Sequence, residues 1–185
     1  LGVDLVTHKI CSLDCVYCEC GKTTNLTLQR GPYVPFDSVK AELDHYWEHN
    51  EDPDYITFSG SGEPTLNQDL GRVIAYIKAQ KPGVKVAVLT NSTLLKDPGV
   101  RQELSLADLV IPSLDAVSKA AFIKLNRPVK AVSVEDIIHG IQAFSREFTG
   151  KIWLEIFILP GVNDTHKELK ALKEVILSID PEMVQ

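Results

Sequence analysis

Apolar positions along this chain follow two alternating rhythms. Short runs are dense in β-branched and aromatic residues, and longer stretches space their apolar residues three and four apart. Gly2 to Thr7 reads as a first strand. A helix over roughly Asp37–Asn50 carries Val39, Leu43, Tyr46 and Trp47 on one face. Tyr55–Phe58 is a second strand, followed by a helix with Leu70, Val73, Ile74 and Ile77 inward. Val84–Thr90 is a third strand after a Pro82-Gly83 turn, with a short helix near Pro98–Leu104 behind it. Asp108–Pro112 is a fourth strand. Ser133 with Asp136 resembles a capping box for a helix facing inward through Val134, Ile137, Ile138, Ile141 and Phe144. Ile152–Leu159 is a fifth strand, stopped by Pro160-Gly161. A last helix, capped by Asp164 or Thr165, turns Leu169, Leu172, Ile176 and Ile179 inward, and Pro181–Gln185 starts another strand.

Strand–helix alternation at this spacing predicts an α/β fold with a parallel sheet and helices outside it. Right-handed crossovers then leave a doubly wound sheet or an open or closed barrel. In either, functional groups gather on the loops that follow the carboxyl ends of the strands. The polar segments obey that rule. The loop at Cys11–Cys20 follows strand one, and Ser59-Gly60-Ser61-Gly62-Glu63-Pro64 follows strand two. Thr90-Asn91-Ser92, Ser113-Leu114-Asp115 and Pro160-Gly161-Val162-Asn163 follow the next three.

The length of 185 residues fits one domain, taken as residues 1–185, and is enough for a core without covalent staples. Nineteen basic against 25 acidic residues give a net charge of −6, which opposes a broad phosphate-binding surface, so nucleic acid is not the expected partner. There is no apolar run of membrane-spanning length and no signal-peptide pattern at Leu1–Thr7. The chain starts in a strand without an initiator Met, so both ends are expected to be cuts within a longer protein.

All four cysteines, Cys11, Cys15, Cys18 and Cys20, lie within ten residues. A disulfide framework spreads its cysteines, so clustered free thiols point to a reducing cytoplasm. Thiolates in C-x3-C-x2-C order on one loop can reach several corners of one metal site. Zinc takes four tetrahedral ligands, commonly as two separated pairs, and the only fourth thiol here is Cys20, cramped one residue beyond Cys18. Three thiolates can instead hold three irons of a 4Fe–4S cluster and leave one iron open. A zinc or iron–sulfur binding module without catalysis remains the alternative.

With Cys11, Cys15, Tyr17 and Cys18 directly after a first strand, the chain resembles the radical S-adenosylmethionine (SAM) superfamily. The resemblance runs from Gly2 to Val184. It implies a partial (βα)6 TIM-like barrel with the sixth strand mostly missing, and a 4Fe–4S cluster ligated by Cys11, Cys15 and Cys18. It implies SAM chelated at the open iron and cleaved reductively to a 5′-deoxyadenosyl radical that takes hydrogen from a substrate. By the same resemblance Tyr17 lies against the adenine, and Ser61-Gly62-Glu63 stands for the Gly-Gly-Glu motif that holds the methionine amino group. Asn91, Ser113, Asp115 and Leu159 become further SAM contacts, with capping as the other role open to Ser113 or Asp115.

The pattern is similar to the molybdenum-cofactor-biosynthesis-protein-A-like and wyosine-synthase-like branches, through Gly21-Lys22-Thr23-Thr24 and Leu125-Asn126-Arg127-Pro128. Neither branch fixes a substrate, which could be a small molecule or a protein, as for a glycyl-radical activase. The implied partner is an electron donor such as flavodoxin or ferredoxin. Cys20 reads as a bystander, and His8, His45, Lys124 and Arg127 as solvated side chains.

Overall fold

The computed structural model describes residues 1–185. In chain order the elements are β1 (Gly2–Val3), β2 (Ile10–Cys11), β3 (Asn25–Leu26), α1 (Phe36–His49), β4 (Tyr55–Phe58), α2 (Leu70–Gln80), β5 (Lys85–Thr90), α3 (Pro98–Leu104), β6 (Leu109–Pro112), α4 (Lys119–Asn126), α5 (Val134–Glu147), β7 (Lys151–Leu154), α6 (His166–Ile179) and β8 (Met183–Val184). Six of the strands form one all-parallel sheet in the order β1-β4-β5-β6-β7-β8. Sequential order with helical crossovers is the winding of an open (βα) barrel. β2 and β3 make a separate parallel pair beside it. No helix is long and apolar enough to cross a membrane.

Strand alternation sets the two faces of the sheet. Ile56, Phe58, Val86, Val88, Val110, Ile152 and Leu154 point to the helices and join the main core with Leu70, Ile74, Ile77, Ile141 and Phe144. On the other face Ala87, Leu109 and Ile111 are buried under Tyr55, Leu89 and Trp153. A sheet covered on both sides needs the near-continuous apolar runs seen in β5 and β6. Helices α3 to α6 start where oxygen-bearing side chains meet free N–H groups. Ser133 Oγ accepts from Asp136 N at 3.1 Å, and Thr165 Oγ1 accepts from Glu168 N at 3.2 Å. Each such cap contributes about 1 kcal/mol.

Four expectations need correction. The first strand ends at Val3, because the Asp4 carboxylate turns the chain by accepting from Val6 N at 3.1 Å and Ser61 N at 2.8 Å. The fifth strand ends at Leu154. Beyond the single bridge Ser113↔Glu155, the N–H of Phe157 goes to Asp115 Oδ1 and that of Leu159 to Asn163 Oδ1, so side chains replace the ladder. Helix α4 is new, and its cap is Ser118, whose Oγ accepts from Ala121 N at 3.3 Å, so neither Ser113 nor Asp115 caps a helix. In α6, Leu169 is 42% exposed and its neighbour Glu168 is buried instead. Glu168 Oε1 accepts from Val117 N at 2.7 Å and Ser118 N at 2.9 Å, which holds that carboxylate inward. The sixth strand is present as two residues, Met183 and Val184, paired with Trp153 and Leu154.

Candidate functional site

The cysteine loop is fixed from two sides. Pairing of β2 with β3 holds Cys11 opposite Leu26. The end of α4 holds the rest: Asp14 N donates to Asn126 O at 3.0 Å, Val16 N to Leu125 O at 2.9 Å, and Val129 N to Ser12 O at 3.0 Å. The first two acceptors are carbonyls that a helix C-terminus leaves without intrahelical partners, and the third bond returns from the segment after α4 to a carbonyl of the loop. The left-handed Arg127, φ 44°, turns the chain out of the helix at that point.

Cys11, Cys15 and Cys18 line one cavity of about 230 Å³, together with Lys9, Tyr17, Ser59–Glu63, Leu89, Thr90, Asn91, Ser113 and Glu155. Cys20 is exposed and outside that lining, its thiol 3.6 Å from Gly60 O. A larger groove of about 760 Å³ lies between β1 and α1, but it holds no cysteine and none of the polar strand-end segments. Chemistry therefore locates the site where size does not.

Each of the three thiols receives one side-chain N–H donor from a different part of the fold. Asn91 Nδ2 donates to Cys11 Sγ at 3.3 Å, Asn126 Nδ2 to Cys15 Sγ at 3.4 Å, and Lys9 Nζ to Cys18 Sγ at 2.8 Å. Burial, with the Glu63 charge second, pushes the Cys11 thiol up to about 11. Burial pushes Cys15 up to about 12, partly offset by the Asn126 hydrogen bond. Burial disfavours the thiolate at Cys11 and Cys15, the Lys9 charge works the other way on Cys11, and a metal bound here would take the protons' place. Three convergent sulfurs on a half-buried wall fit the donor set of an iron–sulfur cluster.

The opposite wall is the segment after β4. A Cβ on Gly62 would stand 1.8 Å from the backbone oxygen of Ile10, so only glycine lets this loop lie against the cysteine segment. Gly60 has φ +138°, and a Cβ there would meet the Asp4 carboxylate at 2.5 Å. Glu63 is only 2% exposed. Its Oε1 accepts from Thr65 N at 3.0 Å, Thr65 Oγ1 at 2.5 Å and Thr90 Oγ1 at 2.7 Å. Its Oε2 accepts only from Asn91 N, at 2.7 Å, and keeps acceptor capacity toward the cavity wall that Glu63 helps to form. Burial raises the Glu63 carboxyl above the usual range against the pull of those four donors. Asn91 thus touches both walls, Glu63 through its backbone and Cys11 through its side chain.

Of the remaining sequence-predicted residues, Tyr17, Ser61 and Ser113 reach the cavity and Asp115 and Leu159 do not. Ser113 Oγ donates to Glu155 Oε2 at 3.0 Å. Asp115 is buried behind Tyr17, where it accepts from Tyr17 Oη at 2.5 Å, Asn126 Nδ2 at 2.6 Å and Phe157 N at 2.9 Å. Tyr17 stacks on Phe157 with centroids 4.1 Å apart, and burial raises its phenol above the ordinary value. Leu159 is half-buried in the turn that Asn163 closes. The sequence reading missed Lys9, Asp4, Glu155 and the role of Asn126. Only the place of Lys9, two residues before Cys11, marked it in advance.

The family model described as the Radical SAM superfamily matches residues 5–172. A protein of Brachyspira hyodysenteriae named GTPase Obg is 40% identical over all 185 residues, which cover 27% of its length. That name does not come across: Gly21-Lys22-Thr23 has Val16, not glycine, where a phosphate-binding loop needs its first glycine. A UPF0026 protein of Synechocystis is 38% identical over the whole chain, which spans 68% of it. The chain superposes on Streptococcus suis SuiB bound to S-adenosylmethionine with a TM-score of 0.70 at 14% identity, covering all of this chain and 39% of that one. The family match takes in the cysteine loop, the glycine-rich wall and every strand between them, and by it the chain belongs to the radical SAM superfamily, whose members use a 4Fe–4S cluster and S-adenosylmethionine.

Proposed function

We propose that this chain is the core domain, residues 1–185, of a radical SAM enzyme. In this reading Cys11, Cys15 and Cys18 hold three irons of a 4Fe–4S cluster, and SAM occupies the cavity between them and Glu63. The observation that supports it is the convergence of those three thiols on one cavity whose far wall is Ser61-Gly62-Glu63, with Cys20 left outside. A four-thiolate zinc site would need Cys20 in that cavity. When bound, the cluster and SAM supply the electron and the 5′-deoxyadenosyl radical that abstracts hydrogen from substrate.

The chain's own residues bind and orient. Glu63 Oε2 accepts from the methionine ammonium, a charge-assisted bond at a buried carboxylate. Gly60 and Gly62 let backbone approach the ligand. Tyr17, held by Asp115 and backed by Phe157, presents a fixed ring to the adenine. Ser61, Asn91 and Ser113 supply polar contacts around it. The electron comes from a small carrier such as flavodoxin or ferredoxin.

The test is anaerobic reconstitution of the chain. About four irons per chain and formation of 5′-deoxyadenosine with SAM and a strong reductant are the expected results. Cys11→Ala, Cys15→Ala and Cys18→Ala should each lose the cluster, and Cys20→Ala should keep it. A fully loaded, reduced protein that leaves SAM intact overturns the reading, as does loss of the metal on Cys20→Ala.

A further inference from the structure

Lys9 is a buried cation with no acidic partner. It is 2% exposed and takes part in none of the eight ion pairs of the fold. Its ammonium meets Cys18 Sγ at 2.8 Å and Gly21 O at 2.5 Å, and it lines the cysteine cavity. Burying an ammonium is costly unless a negative charge faces it. Neither contact is with a carboxylate, and no ion pair of the fold includes this ammonium. An anion bound in the cavity against Cys18 would supply the facing charge.

We infer that Lys9 is the counter-cation of the bound cluster and, with the amides of Asn91 and Asn126, a positioning residue that sets the cluster's reduction potential. The inference rests on the cluster reading above. Each ligating sulfur then has one side-chain N–H donor, and the donors come from three separate segments: the turn before β2, the loop after β5 and the end of α4. Hydrogen bonds to sulfur and net charge are what tune an iron–sulfur potential. Reduction adds an electron to a cluster already made anionic by its thiolates. A cation 2.8 Å from one of them stabilises the reduced form more than the oxidised form. Lys9 makes the potential less negative than the cavity would give without it, and the two amides act in the same direction more weakly, being neutral donors.

The experiment is an EPR-monitored redox titration of the reconstituted chain, without substrate. Lys9→Met should load its iron and titrate at a more negative midpoint potential, while Lys9→Arg, which keeps the cation, should lie close to wild type. An unshifted potential in a fully loaded Lys9→Met overturns the inference. So does a shift that Lys9→Arg shares in full, since that would report packing and not charge. Should Lys9→Met fail to fold, wild type grown with heavy-nitrogen lysine gives the answer by pulsed EPR. A nitrogen coupling from one lysine to the reduced cluster is expected, and its absence overturns the inference. A wild-type chain that binds no cluster overturns both this inference and the proposed function. A loaded wild type with neither coupling nor shift overturns this one alone.

Discussion

Replacing Asp115 by alanine should unfold this domain far more readily than its distance from the cavity suggests. Its carboxylate is 4% exposed and accepts three hydrogen bonds, from Tyr17, Asn126 and Phe157. Alanine leaves all three donors behind. Phe157 is 37% exposed and Tyr17 half-buried, so water reaches those two and each loss costs about 1 kcal/mol. Asn126 is 3% exposed, and its amide, left with only the weak sulfur contact to Cys15, costs about 2 kcal/mol. The sum is about 4 kcal/mol, a large share of the roughly 5–15 kcal/mol that stabilises a domain. Asp115→Asn keeps one carbonyl acceptor and should lose about half as much. Urea unfolding of the metal-free chain, followed by far-UV circular dichroism, measures both. The melting temperature of the alanine variant should fall by about 8–16 °C. A loss below about 1 kcal/mol in Asp115→Ala would refute the assignment of this carboxylate as the tie between cysteine loop, α4 and the segment after β7.

Other changes have equally definite outcomes. Gly62→Ala drives a methyl into Ile10 O and should cost about 3 kcal/mol in a thermal melt, whereas Ser61→Ala, next to it, should stay within about 0.5 kcal/mol. Glu168 is pulled two ways: burial raises its carboxyl, and the N–H groups of Ser118 and Val117 outweigh that and lower it. A carboxyl lower in the folded than in the unfolded state stabilises fully above its unfolded value and loses that stabilisation as pH falls through the folded one. Glu168→Gln should therefore be less stable than wild type at neutral pH, with the gap in urea midpoint closing on acidification. A gap that stays constant with pH would refute the charge-based account. Arg30 forks onto both oxygens of Glu103 at 2.9 and 2.5 Å and also donates to Thr65 O and Asn67 O. Lysine cannot reproduce that fork, so Arg30→Lys should lower the urea midpoint by an equivalent of about 1–2 kcal/mol.

Much of this fold was legible because local signals agreed with global ones. Tyr55–Phe58 and Pro98–Leu104 fall where the sequence pattern put a strand and a short helix, and Ser133 caps its helix as its spacing to Asp136 implied. The parallel sheet followed from the alternation of strands and helices, and so did the gathering of polar segments on one edge. Errors came where a side chain overrode the pattern. The fifth strand stopped early because Asp115 and Asn163 accept the N–H groups a ladder would have used. Leu169 lost the inward position to Glu168 because backbone donors just before α4 call for a carboxylate, which periodicity cannot register. The cysteine spacing was readable by itself. The partners of those sulfurs were not: Asn126 stands 111 residues from Cys15, and only the folded chain brings them together.

The cysteine segment hangs on its own two-strand ladder and on the carbonyl end of α4, and no residue between Asp4 and Glu51 contributes a strand to the main sheet. The consequence concerns the order of assembly. The six-strand scaffold can close around its apolar core while the sulfur-bearing loop is still empty, since the ladder that sets the scaffold's register passes through none of the thiols. A metal held by this loop would then meet a finished cradle instead of nucleating one, unlike in small zinc domains, where the ion and the fold appear together.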